Sequence, residues 1–202
     1  MKVCEAEYGV ARTALPGQGQ SGDHHLICSR PDGILVAAVD GIGHGDSAAA
    51  AAKAATSILE MHSDKPIITL MRLCDEELRS TRGVVLSLAS IDVPHGMMTW
   101  LGVGNVQGVL MRAGAHAGNG QEVLMLRGGV VGAQLPSLQA AVLPVSPGDT
   151  LVFATDGVRG QFMQSLLGRE SPQRAADRIL ERYYTGNDDA LVLVVRLPGP
   201  RS

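Results

Sequence analysis

The sequence predicts an α+β fold: two packed, largely antiparallel sheets with helix pairs on their outer faces. Three observations predict it. Short apolar runs bounded by Gly, Pro, Asn or Asp recur along the chain and read as strands. Stretches with helical periodicity or capping signals come in two pairs. The order is strands, two helices, many strands, two helices, one strand, which does not alternate as a parallel α/β sheet would.

The elements follow in order. Residues 3–12 lack a helical apolar face and read as a strand. Residues 15–22, LPGQGQSG, are a loop by composition. Strands at 25–29 and 34–39 flank Arg30-Pro31-Asp32-Gly33, a turn sequence that makes them a hairpin. A Gly-rich turn over 40–45 then feeds a helix over 48–61, with Asp46 or Ser47 as expected cap. Its alanine run, Ala48 to Ala52, implies a helix packed very close to a sheet. A second helix is expected from Asp64, with Pro66 in its first turn and Ile67, Leu70, Met71, Cys74 and Leu78 on one face. Strand patterns return at 84–91, 97–103, 107–112 and 122–126, with a loop over 113–121. Two more, 140–145 and 150–154, flank the turn Ser146-Pro147-Gly148-Asp149. Residues 158–167 are a short helix candidate. Ser171-Pro172 opens a clearer helix with Ala176, Ile179, Leu180 and Tyr183 on one face and Gly186 as its stop. The last strand is expected over 189–197. No repeat or linker divides the chain, so residues 1–198 are expected to form one domain with a short tail at 199–202.

Composition excludes several function classes. The chain has 202 residues, 45% hydrophobic and 18% charged, enough for one well-buried core. A net charge of −3 argues against nucleic-acid or membrane-surface binding. The three cysteines, Cys4, Cys28 and Cys74, form no CxxC pair, so neither a disulfide framework nor a thiolate zinc site is expected. No apolar run is long enough to span a bilayer, and Glu5 comes too early for a signal peptide. A cytoplasmic location is expected.

Carboxylates at strand ends are the chemical signal. Asp23 follows Ser21-Gly22. Asp40 ends Leu35-Val36-Ala37-Ala38-Val39, and Asp156 follows Leu151-Val152-Phe153-Ala154-Thr155. Asp188 and Asp189 precede Ala190-Leu191-Val192-Leu193-Val194-Val195. An apolar strand that delivers a carboxylate to a sheet edge is costly unless the charge is paired. No Lys or Arg lies between Ile34 and Asp46 to pair it. Hard divalent cations would solve this, because carboxylate and carbonyl oxygens suit Mg²⁺ or Mn²⁺. The competing reading is that each Asp-Gly pair is only a turn.

The strings around these residues carry a resemblance. Asp40-Gly41-Ile42-Gly43-His44-Gly45 resembles the DGxGHG motif of PPM-type phosphatases in the SpoIIE/RsbU/RsbX branch. Gly22-Asp23, Gly102-Val103-Gly104-Asn105, the run from Pro147-Gly148-Asp149 to Thr155-Asp156-Gly157, and Asp188-Asp189 follow in the order of that branch. The resemblance implies a four-layer αββα sandwich with metals in a cleft between sheet edges. It implies that Asp40 bridges two Mn²⁺ or Mg²⁺ ions and that Asp156 and Asp188 complete the first ion's shell. The Gly41 carbonyl would ligate the second ion, which is held more weakly, and Asp23 would act near the metals. A metal-activated water would hydrolyse phosphoserine or phosphothreonine.

The sequence departs from the wider family in places. Gly22 stands where eukaryotic relatives have an acid, and Leu191 where Thr is frequent. No Lys or Arg lies between Thr13 and Asp23, where the phosphate-binding Arg is expected, leaving Arg12 as a distant candidate.

Single residues carry two readings each. His44 is a general-acid candidate or a residue packed at the helix start. His24 and His25 adjoin Asp23, and strand geometry lets only one of them face the cleft. Asn105 orients a ligand or makes a turn. Trp100 reads as core, Asp149 as structural, and Gly128-Gly129 as a tight turn.

The short stand-alone length is similar to the stressosome feedback phosphatases of the branch. This implies phosphorylated STAS-domain scaffold proteins as partners, negative feedback in a stress signalling pathway, and a monomer. The alternatives are a weakly catalytic phosphoprotein-binding module, a phosphatase of an anti-anti-sigma factor, and a hydrolase of small phosphate esters.

Overall fold

The computed structural model describes residues 6–114, 120–165 and 170–198. Ten strands and three α-helices follow in the order β1 (Glu7–Thr13), β2 (Asp23–Arg30), β3 (Gly33–Gly41), α1 (Asp46–Met61), α2 (Ile67–Glu77), β4 (Val84–Asp92), β5 (Met97–Val103), β6 (Gln107–Met111), β7 (Gln121–Val123), β8 (Ala141–Pro144), β9 (Thr150–Ala154), α3 (Pro172–Tyr183) and β10 (Ala190–Arg196). A 3₁₀ helix spans Gly160–Ser165. One sheet has the order β1-β10-β9-β6-β7 and the other β2-β3-β4-β5-β8. All strand pairs are antiparallel.

The sheets stack face to face, and the period of two along each strand decides which residue meets which layer. In β3, Ile34, Val36 and Ala38 point into the core between the sheets, where they join Phe153, Leu191, Leu193 and Val195. The alternate residues Leu35, Ala37 and Val39 meet α1 and α2, together with Leu59, Leu70, Met71 and Cys74. On the other side Val152, Val192 and Val194 meet α3 through Ala176 and Ile179. The central strands are buried on both faces, which is why they read as continuous apolar runs. The expected αββα sandwich is the observed fold.

Local differences have physical reasons. The alanines of α1 do lie against the sheet: Ala48, Ala52 and Ala55 are wholly buried. The helix begins without a side-chain cap, however. Gly45, at φ +73°, takes the cap position, and neither Asp46 nor Ser47 caps the turn. A reversal this sharp after Asp40 needs a left-handed backbone, which glycine adopts freely. The expected start of α2 at Asp64 moves to Ile67, with Pro66 as the cap residue. The candidate helix at 158–167 is a 3₁₀ helix over Gly160–Ser165, Val158 instead bridging to Tyr184, and Leu166 and Leu167 lie outside the described residues. Among the described residues the second helical layer therefore holds one α-helix, not a pair. Ser171 caps α3 as expected, accepting from the Arg174 amide. The strand expected over 122–126 ends at Val123.

Trp100 is buried in the core, and Cys74 is buried while Cys28 is half-buried. Cys4 and the 199–202 tail lie outside the described residues. Asp149 is structural. Its carboxylate accepts from the Ala113 and Ser146 amides at 2.7 and 3.0 Å and from Arg112 Nη1 at 3.0 Å. Arg112 also donates to the Pro144 carbonyl in the other sheet, so this network stitches the two sheets at one end of β9.

Candidate functional site

The opposite end of β9 carries the acidic residues. Asp23 opens β2 and Asp40 lies near the end of β3, and the two are direct cross-strand partners. Two carboxylates facing each other on adjacent strands repel. Asp156 follows β9 and Asp188 precedes β10, both in the other sheet. The sheets meet here through Thr155, whose hydroxyl donates to Asp23 Oδ2 at 2.7 Å. The Thr155 oxygen accepts from the Leu191 amide at 2.8 Å, which leaves its proton for Asp23.

Burial and repulsion raise Asp40, Asp23 and Asp156. Desolvation pushes the Asp40 carboxyl up to about 9, with Asp23, Asp156, Asp188 and Asp189 all adding to the rise. Desolvation likewise pushes Asp23 up to about 7, although the Thr155 hydrogen bond opposes it. Asp156 is raised by desolvation and then by Asp188. The charges acting most strongly on Asp40 are all carboxylates.

Secondary contacts orient these groups. Asn105 Nδ2 donates to Asp156 Oδ2 at 2.7 Å, so Asn105 is more than a turn residue. Asp188 Oδ1 accepts from the Asp189 amide at 2.8 Å. Asp189 is buried and its charge also acts on Asp23 and Asp40. It accepts from the amides of Leu15 and Gly22 at 2.7 and 2.6 Å and so fastens the loop before β2. Two close backbone approaches complete the arrangement. A β-carbon on Gly41 would lie 2.1 Å from the Ala48 carbonyl oxygen, and one on Gly157 would lie 1.9 Å from the Asp189 carbonyl oxygen. Those glycines let the carboxylate-bearing turns close.

The structure thus brings Asp23, Asp40, Asp156 and Asp188 into one another's field, with Gly41 between them and α1. Among the described residues, no three His, Cys, Asp or Glu side chains converge into a ready-made cage. The donor set nevertheless fits hard divalent cations: it is all oxygen, clustered, and opposed by no cationic side chain among the strongest influences on Asp40. Such ions keep several waters, so a partly open set suffices.

The other candidates fall outside this cluster. His44 is exposed on the loop after Asp40. Arg12 lies near His24 and His25, which are held below the ordinary histidine range by burial first and by Arg12 second. The roles of Thr155 and Asp189 were missed by motif reading, and the orienting role of Asn105 was left beside a turn reading. Each lies inside a quoted string, but only tertiary contacts distinguish a ligand from the residue that positions it.

A family model described as Stage II sporulation protein E (SpoIIE) matches residues 30–198. The chain belongs to the SpoIIE family. As a member it is a PPM-type protein phosphatase. It is 21% identical over 180 residues to Phosphoserine phosphatase RsbX of Bacillus subtilis (strain 168), covering 89% of this chain and 88% of that one. A solved chain from work described as "The bacterial stressosome: a modular system that has been adapted to control secondary messenger signaling" is 30% identical. It superposes with a TM-score of 0.88 over 95% of this chain and 100% of that chain. RsbX in complex with magnesium superposes with a TM-score of 0.84 at 19% identity, over 97% and 98% of the two chains.

Proposed function

We propose that this SpoIIE-family chain is a divalent-cation-dependent phosphatase of phosphoserine and phosphothreonine in proteins. In this reading Asp40, Asp156 and Asp188 hold one Mn²⁺ or Mg²⁺ ion firmly. Asp40, the Gly41 carbonyl and Asp23 hold a second one loosely. Residues 1–198 act as a single domain, monomeric and cytoplasmic. The observation that carries the proposal is the convergence of four strand-end carboxylates, with Asp156 and Asp188 raising both Asp23 and Asp40.

Cations bound there supply Lewis acidity, lowering the pKa of water and screening phosphoryl oxygens. The protein's own groups do the rest. Asn105 holds one carboxylate oxygen of Asp156. Thr155 does the same for Asp23. Asp189 clamps Gly22 and Leu15, fixing the start of β2 relative to β10. His44 is exposed on the loop after Asp40, where it is available to protonate a departing serine oxygen.

The substrate we propose is a phosphorylated STAS-domain scaffold protein of a stressosome-like complex, with dephosphorylation acting as negative feedback on stress signalling. The similarities to RsbX and to the stressosome-associated chain support this choice. The test is Mn²⁺-dependent hydrolysis of p-nitrophenyl phosphate and of phospho-STAS scaffold by the purified chain, with Asp40→Asn as control. Wild-type inactivity, or equal activity in the mutant, would overturn the mechanism. Release of phosphate from an anti-anti-sigma factor but not from the scaffold would overturn the substrate. Two equal tight sites in a calorimetric Mn²⁺ titration would contradict the unequal pair.

A further inference from the structure

A phosphatase of this design must attract a dianion to a cluster of carboxylates. Bound cations help, but an arginine that grips the phosphoryl oxygens is the usual complement. The segment between Thr13 and Asp23 contains no Lys or Arg, and Arg12 lies by His24 and His25.

A guanidinium from elsewhere in the chain lies against the acidic loop. A β-carbon on Gly43 would stand 2.7 Å from Arg82 Nη1, so the Arg82 head packs directly on the backbone of the loop that follows Asp40. Gly43 has φ +98°, and its missing side chain is what leaves room for the guanidinium.

The backbone holds Arg82 in place. The Ile42 amide donates to the Gly83 carbonyl at 3.1 Å. Gly41 pairs in register with Val84. The Gly83 amide donates to Thr81 Oγ at 2.9 Å, and that hydroxyl donates to the Leu78 carbonyl at 2.7 Å. Arg82 therefore sits between an ordered turn and the start of β4, next to the residues, Gly83 and Val84, that are tied to the acidic loop.

Its charge is unspent. Arg82 is exposed and, among the described residues, makes no hydrogen bond or ion pair. Its neighbour Arg79 already faces Asp75 at 3.7 Å.

We propose that Arg82 is the phosphate-binding arginine of this chain, donating to phosphoryl oxygens of the phosphoserine or phosphothreonine substrate from the Gly43 side of the cleft. The assignment rests on the phosphatase reading above. It replaces an arginine from the start of the chain with one from the turn before β4. A planar fork lying over a glycine suits two parallel hydrogen bonds to a tetrahedral anion.

Calorimetry and kinetics on the full chain test this together. The probes are inorganic phosphate and a peptide carrying a difluoromethylene-phosphonate analogue of phosphoserine, which binds without being hydrolysed. Arg82→Ala should weaken both probes about tenfold, the scale of a lost charge-assisted pair at a partly exposed site. KM for phosphopeptide should rise in step while Mn²⁺ affinity stays at the wild-type value. Arg82→Lys should recover part of the loss.

Unchanged affinity for both probes in Arg82→Ala would overturn the assignment while leaving the phosphatase reading intact. Weakened peptide binding with unchanged inorganic phosphate would also overturn it, because Arg82 would then read flanking residues. If wild type binds the probes and loses that binding in Arg82→Ala, yet hydrolyses nothing, Arg82 stands and the phosphatase reading falls. If wild type binds neither probe, both fall.

Discussion

Asp40 and Asp23 face each other across two strands, and their ionisation works against folding until a cation arrives. Asp40→Asn should therefore have opposite effects on two readouts. It should abolish Mn²⁺-dependent hydrolysis, and it should raise the melting temperature of the metal-free protein at pH 8, because it removes a carboxyl that burial pushes up to about 9. A mutant melting below wild type without metal would contradict this account. Asn105 acts through Asp156, not on substrate. Asn105→Ala should lower activity about tenfold at limiting Mn²⁺, as expected for loss of one hydrogen bond to a charged group, and recover at saturating Mn²⁺. A Mn²⁺ titration of the initial rate distinguishes that from a general loss. At this scale the sequence was legible where chemistry repeats in strings: Asp40, Asp156 and Asp188 stand out because apolar strands end on them. It was not legible where one atom decides. Asp188 and Asp189 are adjacent and alike in sequence and both act on Asp40, yet Asp189 is also buried as a clamp on Gly22. Arg82 belongs to no motif and gains meaning only from the empty side of Gly43.

Individual elements show why the cluster tolerates so little change around its turns. Helix α1 meets the end of β3 with no side chain between them, since Gly41 has none and the helix face is alanine. Gly41→Ala should destabilise the protein by about 3 kcal/mol or more, because the clash at 2.1 Å is with backbone that cannot rotate away. Gly19→Ala, with open space around it, should change stability by less than about 0.5 kcal/mol. Urea unfolding of the two variants compares them directly. The strands and helices were legible because their periodicity is long and buried on defined faces: β5 and β9 match their expected limits. The 3₁₀ helix at Gly160–Ser165 was not, because its few apolar residues fit either kind of short helix. The start of α1 was misread for another reason. Asp46 and Ser47 are good caps by type, but the turn needs a left-handed residue, and that outweighs a side-chain hydrogen bond.

The whole molecule couples protons, metal and stability. Asp40 and Asp23 are both raised above their ordinary value of 3.8, so between there and about 9 the folded chain binds more protons than the unfolded one. Their favourable contribution is complete below pH 3.8. It is lost as pH rises through about 7 for Asp23 and about 9 for Asp40. Melting temperatures of the chelated protein should therefore fall from pH 5 to pH 9, and added Mn²⁺ should reverse the fall most strongly at the alkaline end. A flat profile without metal would contradict it. The two ends of β9 also differ in kind. At Asp149 the sheets are sewn together by Arg112, the Ser146 amide and the Pro144 carbonyl, all within the chain. At Asp156 the chain supplies chiefly like charges, bridged by the Thr155 hydroxyl and by the hold of Asp189 on the Gly22 amide. The sandwich is thus a book with a bound spine and a clasp that must be brought from solution. Removing the clasp should loosen the pages from one side only. On chelation, amide hydrogen exchange should quicken at the Asp23, Asp40 and Leu191 end while the amides of Ala113 and Ser146 keep their protection.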